Sequence, residues 1–298
     1  MRYLITGGSG LLGADLVEEL LQRKEEVHYT YLNNEMKING AHPYKLDILE
    51  TKKLAELIKQ IKPNVVIHTA TIPSVDVCEK DKELAYKINT LATKKIAEVT
   101  KAIGAKLVYI STTFVFPNST TKFSEEDIPA PINYYGVTKL GGELATAINP
   151  NHLIIRTDQI YGWIKSGQKK TYVVTVLEKI ENDEKVEIFM NWYNSPTYVK
   201  DLSATIIGLL AKEKKGIYHV VGSTYLNRLE WGRKIAEIFG IDPNLVVGID
   251  SSKKDIPATR TNCKIANDKA QKESGVTLKT IEDGLLEMKK IRDAAQKN

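Results

Sequence analysis

Cysteine is almost missing from this chain: only Cys78 and Cys263 occur among 298 residues. So few thiols exclude a disulfide framework, and neither falls in a metal-ligand spacing, so both read as unpaired structural thiols. Long apolar runs are missing too. None approaches the roughly 20 residues that span a bilayer, and no membrane partner is expected. The five histidines, His28, His42, His68, His152 and His219, are scattered without ligand spacing, so no metal is implied. Concentrated charge of one sign is also lacking. The formal charge is +5, but it comes from lysines dispersed among glutamates, which read as solvated helix faces. A nucleic-acid footprint needs a dense basic stripe with interleaved aromatics, and none is present. The mild positive field suits an anionic small substrate instead.

What is there is the balance of a folded globular protein, with 42% hydrophobic and 27% charged residues. The sequence opens on an apolar strand, YLIT, and not on a basic segment with a cleavage site, so a cytoplasmic protein is expected. The sequon Asn118-Ser119-Thr120 is then a chance match.

Strand-like and helix-like segments alternate from the start. Strands are expected at 3–6, 26–32, 65–70, 106–112 and 152–157, and helices at 11–24, 54–62, 84–104 and 136–148. That rhythm predicts an α/β fold: a Rossmann-like, doubly wound parallel sheet with both faces covered by helices. After about residue 160 the rhythm weakens. Helices are expected at 171–183, 202–214, 226–240 and 277–295, with strands at 185–190 and 216–222. The reading is a dinucleotide-binding Rossmann domain over 1–162, with 184–222 returning to it. A smaller C-terminal substrate-binding lobe takes 163–183 and 223–298.

Thr6-Gly7-Gly8-Ser9-Gly10-Leu11-Leu12-Gly13 joins the first strand to the first helix. Gly7 permits a tight turn, Gly10 lets the backbone approach a pyrophosphate, and Gly13 allows close helix–strand packing. The helix N-terminus beyond supplies free N–H groups to an anion. The strand before and helix after make a dinucleotide site the reading. The second strand ends Tyr31-Leu32-Asn33-Asn34, without the acid that would hold adenosine ribose hydroxyls, and Lys37 follows. NADPH is therefore favoured over NADH.

Tyr135 and Lys139 are four apart and share a helix face, whereas Tyr134 points elsewhere. A phenol ordinarily titrates near 10; a nearby ammonium and a nicotinamide would lower that and make it a usable acid or base. The pair follows a strand ending Ser111-Thr112-Thr113, and ligands bind at the carboxyl ends of strands in such sheets. Hydroxyl, phenol and ammonium there would form a hydride-transfer site.

Several stretches carry a wider likeness: TGGSGLLG, IHTATIPSVDVCEKDKELAYKIN, VYISTTFVF, EEDIPAPINYYGVTKLGGE, RTDQIYG and SPTYVKDLS. Through them the chain resembles the extended short-chain dehydrogenase/reductase superfamily, and within it the dTDP-4-dehydrorhamnose reductase family. The resemblance implies NAD(P)H-dependent reduction of the 4-keto group of a nucleotide-diphosphate sugar, dTDP-4-dehydro-L-rhamnose to dTDP-L-rhamnose. It implies Thr112, Tyr135 and Lys139 as catalytic residues. Gly7, Gly10, Leu11, Leu12, Gly13, Tyr31, Asn33, Asp47, Ile48, Thr69, Ala70, Tyr135 and Lys139 are expected to bind the cofactor. Ser111, Phe114, Val115, Trp192 and Arg260 are expected to face the substrate. A homodimer through the 84–104 and tyrosine helices is implied by the same analogy.

The likeness has departures. The family usually reads STDYVF where this chain has Ser111-Thr112-Thr113-Phe114-Val115-Phe116; Asn191-Trp192 stands where Asp-Gln is common; Thr259-Arg260 stands where Arg-Pro is usual. All three lie towards the substrate. Two alternatives stay open: a nucleotide-sugar epimerase, which uses the same residues with retained NAD, and a non-catalytic regulatory subunit resembling the methionine adenosyltransferase β subunit.

Overall fold

The computed structural model describes residues 1–296. Seven parallel strands form its central sheet: β1 Arg2–Thr6, β2 Glu26–Tyr31, β3 His42–Lys45, β4 Val65–His68, β5 Lys106–Thr112, β6 His152–Thr157 and β7 Gly216–His219. Their spatial order is β7-β6-β5-β4-β1-β2-β3. The order reverses between β1 and β4, which opens a crevice at the carboxyl ends of those two strands. Strand sequences explain their place. VVIH in β4 and KLVYIST in β5 are buried throughout, as a sheet covered on both faces requires. The sequence pattern predicts no strand at β3. HPYK has no apolar run, and it lies largely exposed at the sheet edge, paired to β2.

Helices α1 Leu11–Gln22 and α8 Val199–Ala211 cover one face of the sheet, and α2 Thr51–Ile61 and α5 Thr93–Ala102 cover the other. Leu16, Val17 and Leu20 of α1 meet Leu202 and Ile206 of α8 over Ile5, Val27 and Val108. Leu54, Ile58 and Ile96 pack over Leu4, Val66 and Leu107. Each such side chain contributes about 1.5–3 kcal/mol by leaving water.

The helix expected over 84–104 is three pieces: Lys82–Tyr86, a π-helical turn Lys87–Ala92, and α5. The turn's extra residue leaves the Asn89 carbonyl free to accept from the Tyr109 hydroxyl at 3.3 Å and the Thr93 hydroxyl at 2.9 Å.

A second core gathers α7 Tyr172–Glu181, α9 Arg228–Phe239 and α11 Ile281–Ala295 around Val173, Leu177, Trp231, Ile235, Leu285 and Met288. Two corrections to the expected boundaries follow. Val186–Phe189 pairs with Val246–Ile249, not with the central sheet, so of 184–222 only α8 and β7 return to the Rossmann half. VEIF is a four-residue, alternately buried strand, suited to a small lobe and not to a two-sided sheet. Conversely α10 Asp268–Ser274 leaves the lobe, and Ala270 packs into the core under α8. Among the described residues no helix is long and apolar enough to cross a membrane.

Candidate active site

A cleft of about 770 Å³ opens along the carboxyl ends of β1, β2, β4, β5 and β6, within the size range of cofactor sites. At one end lies the glycine turn. Gly7 has φ +70°, and a Cβ on Gly13 would lie 2.3 Å from the Gly7 carbonyl oxygen. Any side chain there would push α1 off the turn. Gly10, the N-cap of α1, offers no side-chain acceptor, and no acid stands in the helix's first turn. The free N–H groups and positive helix end therefore face the cleft unneutralised, which fits the diphosphate of a dinucleotide.

Thr112 ends β5 and Tyr135 lies in the first turn of α6 Tyr134–Thr146, whose N-cap Asn133 accepts from the Gly136 N–H at 2.8 Å. The two residues border the same cleft, and the Thr112 hydroxyl acts on the Tyr135 phenol. The tyrosine ring packs edge-on to Phe114, with centroids 5.9 Å apart. Burial raises the Tyr135 phenol well above its ordinary range, and the Thr112 hydroxyl opposes this only in part. The lowered value expected from a nearby ammonium is therefore not what the folded chain alone produces: burial sets the direction.

Lys139 lies one turn further along the same face. Its ammonium donates to the Ile110 carbonyl at 2.6 Å and sits 4.2 Å from the Tyr109 ring centre. Burial lowers its pKa to about 7, against a raising influence from Glu143. Beneath it, His68 is bonded by Thr6 at 2.6 Å and Thr93 at 3.1 Å, and burial holds its pKa down near 3. A neutral imidazole there spares Lys139 a second buried charge.

Of the residues expected from sequence, Gly7, Gly10, Leu11, Leu12, Gly13, Tyr31, Asn33, Asp47, Ile48, Thr69, Ala70, Ser111, Thr112, Phe114, Tyr135 and Lys139 all line this cleft. Four substrate-side expectations need correcting. Ser111 borders the cleft, but its hydroxyl is committed to the Glu143 carboxylate at 2.5 Å. Val115 is fully buried in a cluster with Phe116, Val221 and Cys263. It follows Phe114 in a short 3₁₀ turn that aims one side chain at the cleft and the next behind it. Trp192 lies away from the cleft lining, with the guanidiniums of Arg228 and Arg260 5.0 and 4.6 Å from its ring centre. Arg260 is tied to Asp76 by a two-pronged ion pair of 2.8 and 2.6 Å, across the two halves of the molecule.

Sequence reasoning passes over three contributors. Asn89 on the π turn accepts from Thr71 and the Ile72 N–H and donates to Thr138, joining the cleft wall to α6. Asp158, just past β6, lines the cleft near Tyr135; burial raises its carboxyl to about 6 although the Ser195 N–H donates to it at 2.8 Å. Residues 167–172 wall the opposite side. RTDQIYG and the π turn's AYKIN belong to stretches that carry the family likeness, so their position was a usable signal; residues 167–172 carried none.

A seven-stranded doubly wound sheet with a glycine turn, an end-of-strand hydroxyl and a Tyr–Lys helix defines an extended short-chain dehydrogenase/reductase. Within that class the chain belongs to the family described as RmlD substrate binding domain, whose model matches residues 1–293. A hypothetical dTDP-4-dehydrorhamnose reductase from Sulfolobus tokodaii is 37% identical, with 95% of this chain and 99% of that one covered and a TM-score of 0.84. A dTDP-4-dehydrorhamnose reductase from Bacillus anthracis, solved in complex with NADP, is 29% identical, with 96% and 98% covered and a TM-score of 0.85. Methionine adenosyltransferase 2 subunit beta of Xenopus tropicalis is 30% identical over 247 residues, 80% of this chain and 72% of its own length.

Proposed function

We propose that the protein reduces the 4-keto group of a nucleotide-linked deoxysugar, dTDP-4-dehydro-L-rhamnose being the substrate that the family likeness favours. The observation that carries this reading is the meeting of Thr112, Tyr135 and Lys139 in one cleft with the glycine turn. NADPH is the reductant of choice and NADH the alternative. In support, no carboxylate stands at the end of β2 before Glu35, and that one accepts the Tyr31 phenol at 3.0 Å.

A bound reduced nicotinamide would supply the hydride. Tyr135, kept a neutral phenol by burial, donates its proton to the keto oxygen as that oxygen gains charge. Thr112, which borders the cleft with Tyr135, holds the same oxygen in place. Lys139, in its ammonium form, stabilises the phenolate left behind; the Ile110 carbonyl fixes its position. Phe114 and Ala258, packed with Val75 about the tyrosine, keep water from the ring.

The relatives named as a regulatory subunit make activity itself the first question. The test is a panel of dTDP- and UDP-linked keto-sugars with NADPH and with NADH, read by loss of nicotinamide absorbance. Turnover of a 4-keto-6-deoxysugar supports the reading. Stoichiometric NAD carried through purification, with sugar interconversion and no added reductant, would establish the epimerase instead. Inactivity on every sugar, with co-purification of a synthetase, would establish the regulatory one. We infer a homodimer through α6 and the helix leading into and through the π turn, where Leu144, Val137, Tyr86 and Leu91 are exposed apolar side chains; sedimentation of the purified protein decides it.

A further inference from the structure

Residues 164–171 run from the short strand Ile160–Tyr161 to the start of α7, and on the way they cross the glycine turn. Three ties hold them to the Rossmann half. The Lys165 ammonium pairs with Glu18 of α1. The Gly167 carbonyl accepts from Asn34 Nδ2 at 2.6 Å. Gln168 Nε2 donates to the Ser9 carbonyl at 3.1 Å and lies 3.2 Å from the Met36 sulfur. Ser9 is inside the turn, and Asn34 is just past the end of β2, so the latter two ties fall at the two places a dinucleotide would lie against. All three are polar, and Ser166, Gly167, Lys169 and Lys170 are exposed. No apolar core anchors the crossing, so it can part from the turn at modest cost and re-form.

The crossing also brings charge. Lys165 has Glu18 and Lys170 has Glu178 as partners. Lys169 borders the cleft and has no carboxylate within ion-pair distance among the described residues. The glycine turn offers N–H groups from one side of the cleft; the unpaired ammonium comes from the other.

We propose that residues 165–170 are a strap that closes over the bound dinucleotide, with Lys169 gripping one of its phosphates, and that parting of the strap from Ser9 and Asn34 releases the dinucleotide. This rests on the reading of the cleft as a dinucleotide site. The strap adds to that reading a gate on cofactor exchange and a phosphate contact contributed from outside the sheet.

The test needs no turnover. NADPH and NADH are titrated into wild type, Gln168→Ala, Lys169→Ala and Lys169→Arg, read by energy transfer from tryptophan to nicotinamide, and dissociation is followed after displacement. Gln168→Ala is expected to speed dissociation of both dinucleotides by about tenfold. Lys169→Ala is expected to weaken binding by about tenfold, less so at high salt, with Lys169→Arg restoring it. A loss confined to NADPH assigns the grip to the 2′-phosphate, and an equal loss for both assigns it to the diphosphate; either supports the strap. Wild-type affinities and dissociation rates in Gln168→Ala and Lys169→Ala, with wild type binding normally, would overturn it. Failure of wild type to bind either dinucleotide removes the strap together with the dinucleotide reading, and the two failures are thereby told apart.

Discussion

Replacing Glu143 with leucine should cost far more than one hydrogen bond, because it strands a charge. Glu143 is 4% exposed and Arg156 is 2% exposed. They meet through two hydrogen bonds, of 2.9 and 2.8 Å, and the Ser111 hydroxyl takes a further lone pair of the carboxylate at 2.5 Å. The rest of the guanidinium's surroundings cannot compensate. His219 is 3.3 Å away but neutral, its pKa drawn to about 3 by burial and by Arg156 itself, and the Phe116 ring lies 5.0 Å off. Removing one partner of such a buried pair costs about 3–5 kcal/mol. For a chain of this length that is a fall in Tm of about 5–8 °C. Glu143→Leu combined with Arg156→Met should recover most of the loss, since no charge is then left without a partner. Thermal and denaturant unfolding of wild type, both single variants and the double variant measure this. A single-variant cost below about 1 kcal/mol, or a double variant no more stable than Glu143→Leu, would refute the reasoning.

Tyr135→Phe should lower kcat by about a hundredfold or more while dinucleotide affinity stays within about threefold of wild type, since only the proton donor is lost; near-normal turnover would remove the residue from its role. Lys139, with its pKa near 7 and below its ordinary value, holds its ammonium form only below that pH. Its share of the rate should therefore fall as pH rises through about 7, and Lys139→Arg should shift that limb upward. A flat rate profile from about pH 6 to about pH 9 would contradict the assignment. Asp158, with its pKa near 6 and above its ordinary value, keeps its proton longer folded than unfolded. Its contribution to stability should then decline between its ordinary pKa and about pH 6, and Asp158→Asn should flatten that stretch of the stability curve. Equal slopes in both proteins would show that the carboxyl titrates normally.

The strands and the glycine turn were legible because a sheet covered on both faces needs near-continuous apolar runs, as in VVIH and KLVYIST. β3 was not, because HPYK owes its conformation to pairing with β2 at an exposed edge. The π turn hid inside a sound helical pattern; its cause is tertiary, in Asn89, Tyr109 and Thr138. Tyr135 and Lys139 were legible from spacing plus position on the sheet, and the family likeness singled Thr112 out of the Ser111-Thr112-Thr113 run. Ser111 and Arg260 had side chains of suitable chemistry, but the buried Glu143 and the partly exposed Asp76 claim them. Sequence spacing gives no sight of such competition, nor of the lobe boundaries, where VEIF pairs with a segment 60 residues on by register Val186 to Val246.

The central claim is that this cleft delivers a hydride to a keto-sugar while Tyr135 delivers the proton. Nicotinamide cofactor deuterated at its transferable position, incubated with a dTDP-4-keto-6-deoxysugar and the protein, tests both at once when the product is read by NMR. Deuterium is expected at the sugar C4 with wild type and almost none with Tyr135→Phe, although both proteins bind the cofactor. A product without deuterium at C4, or equal labelling by the two proteins, would contradict it.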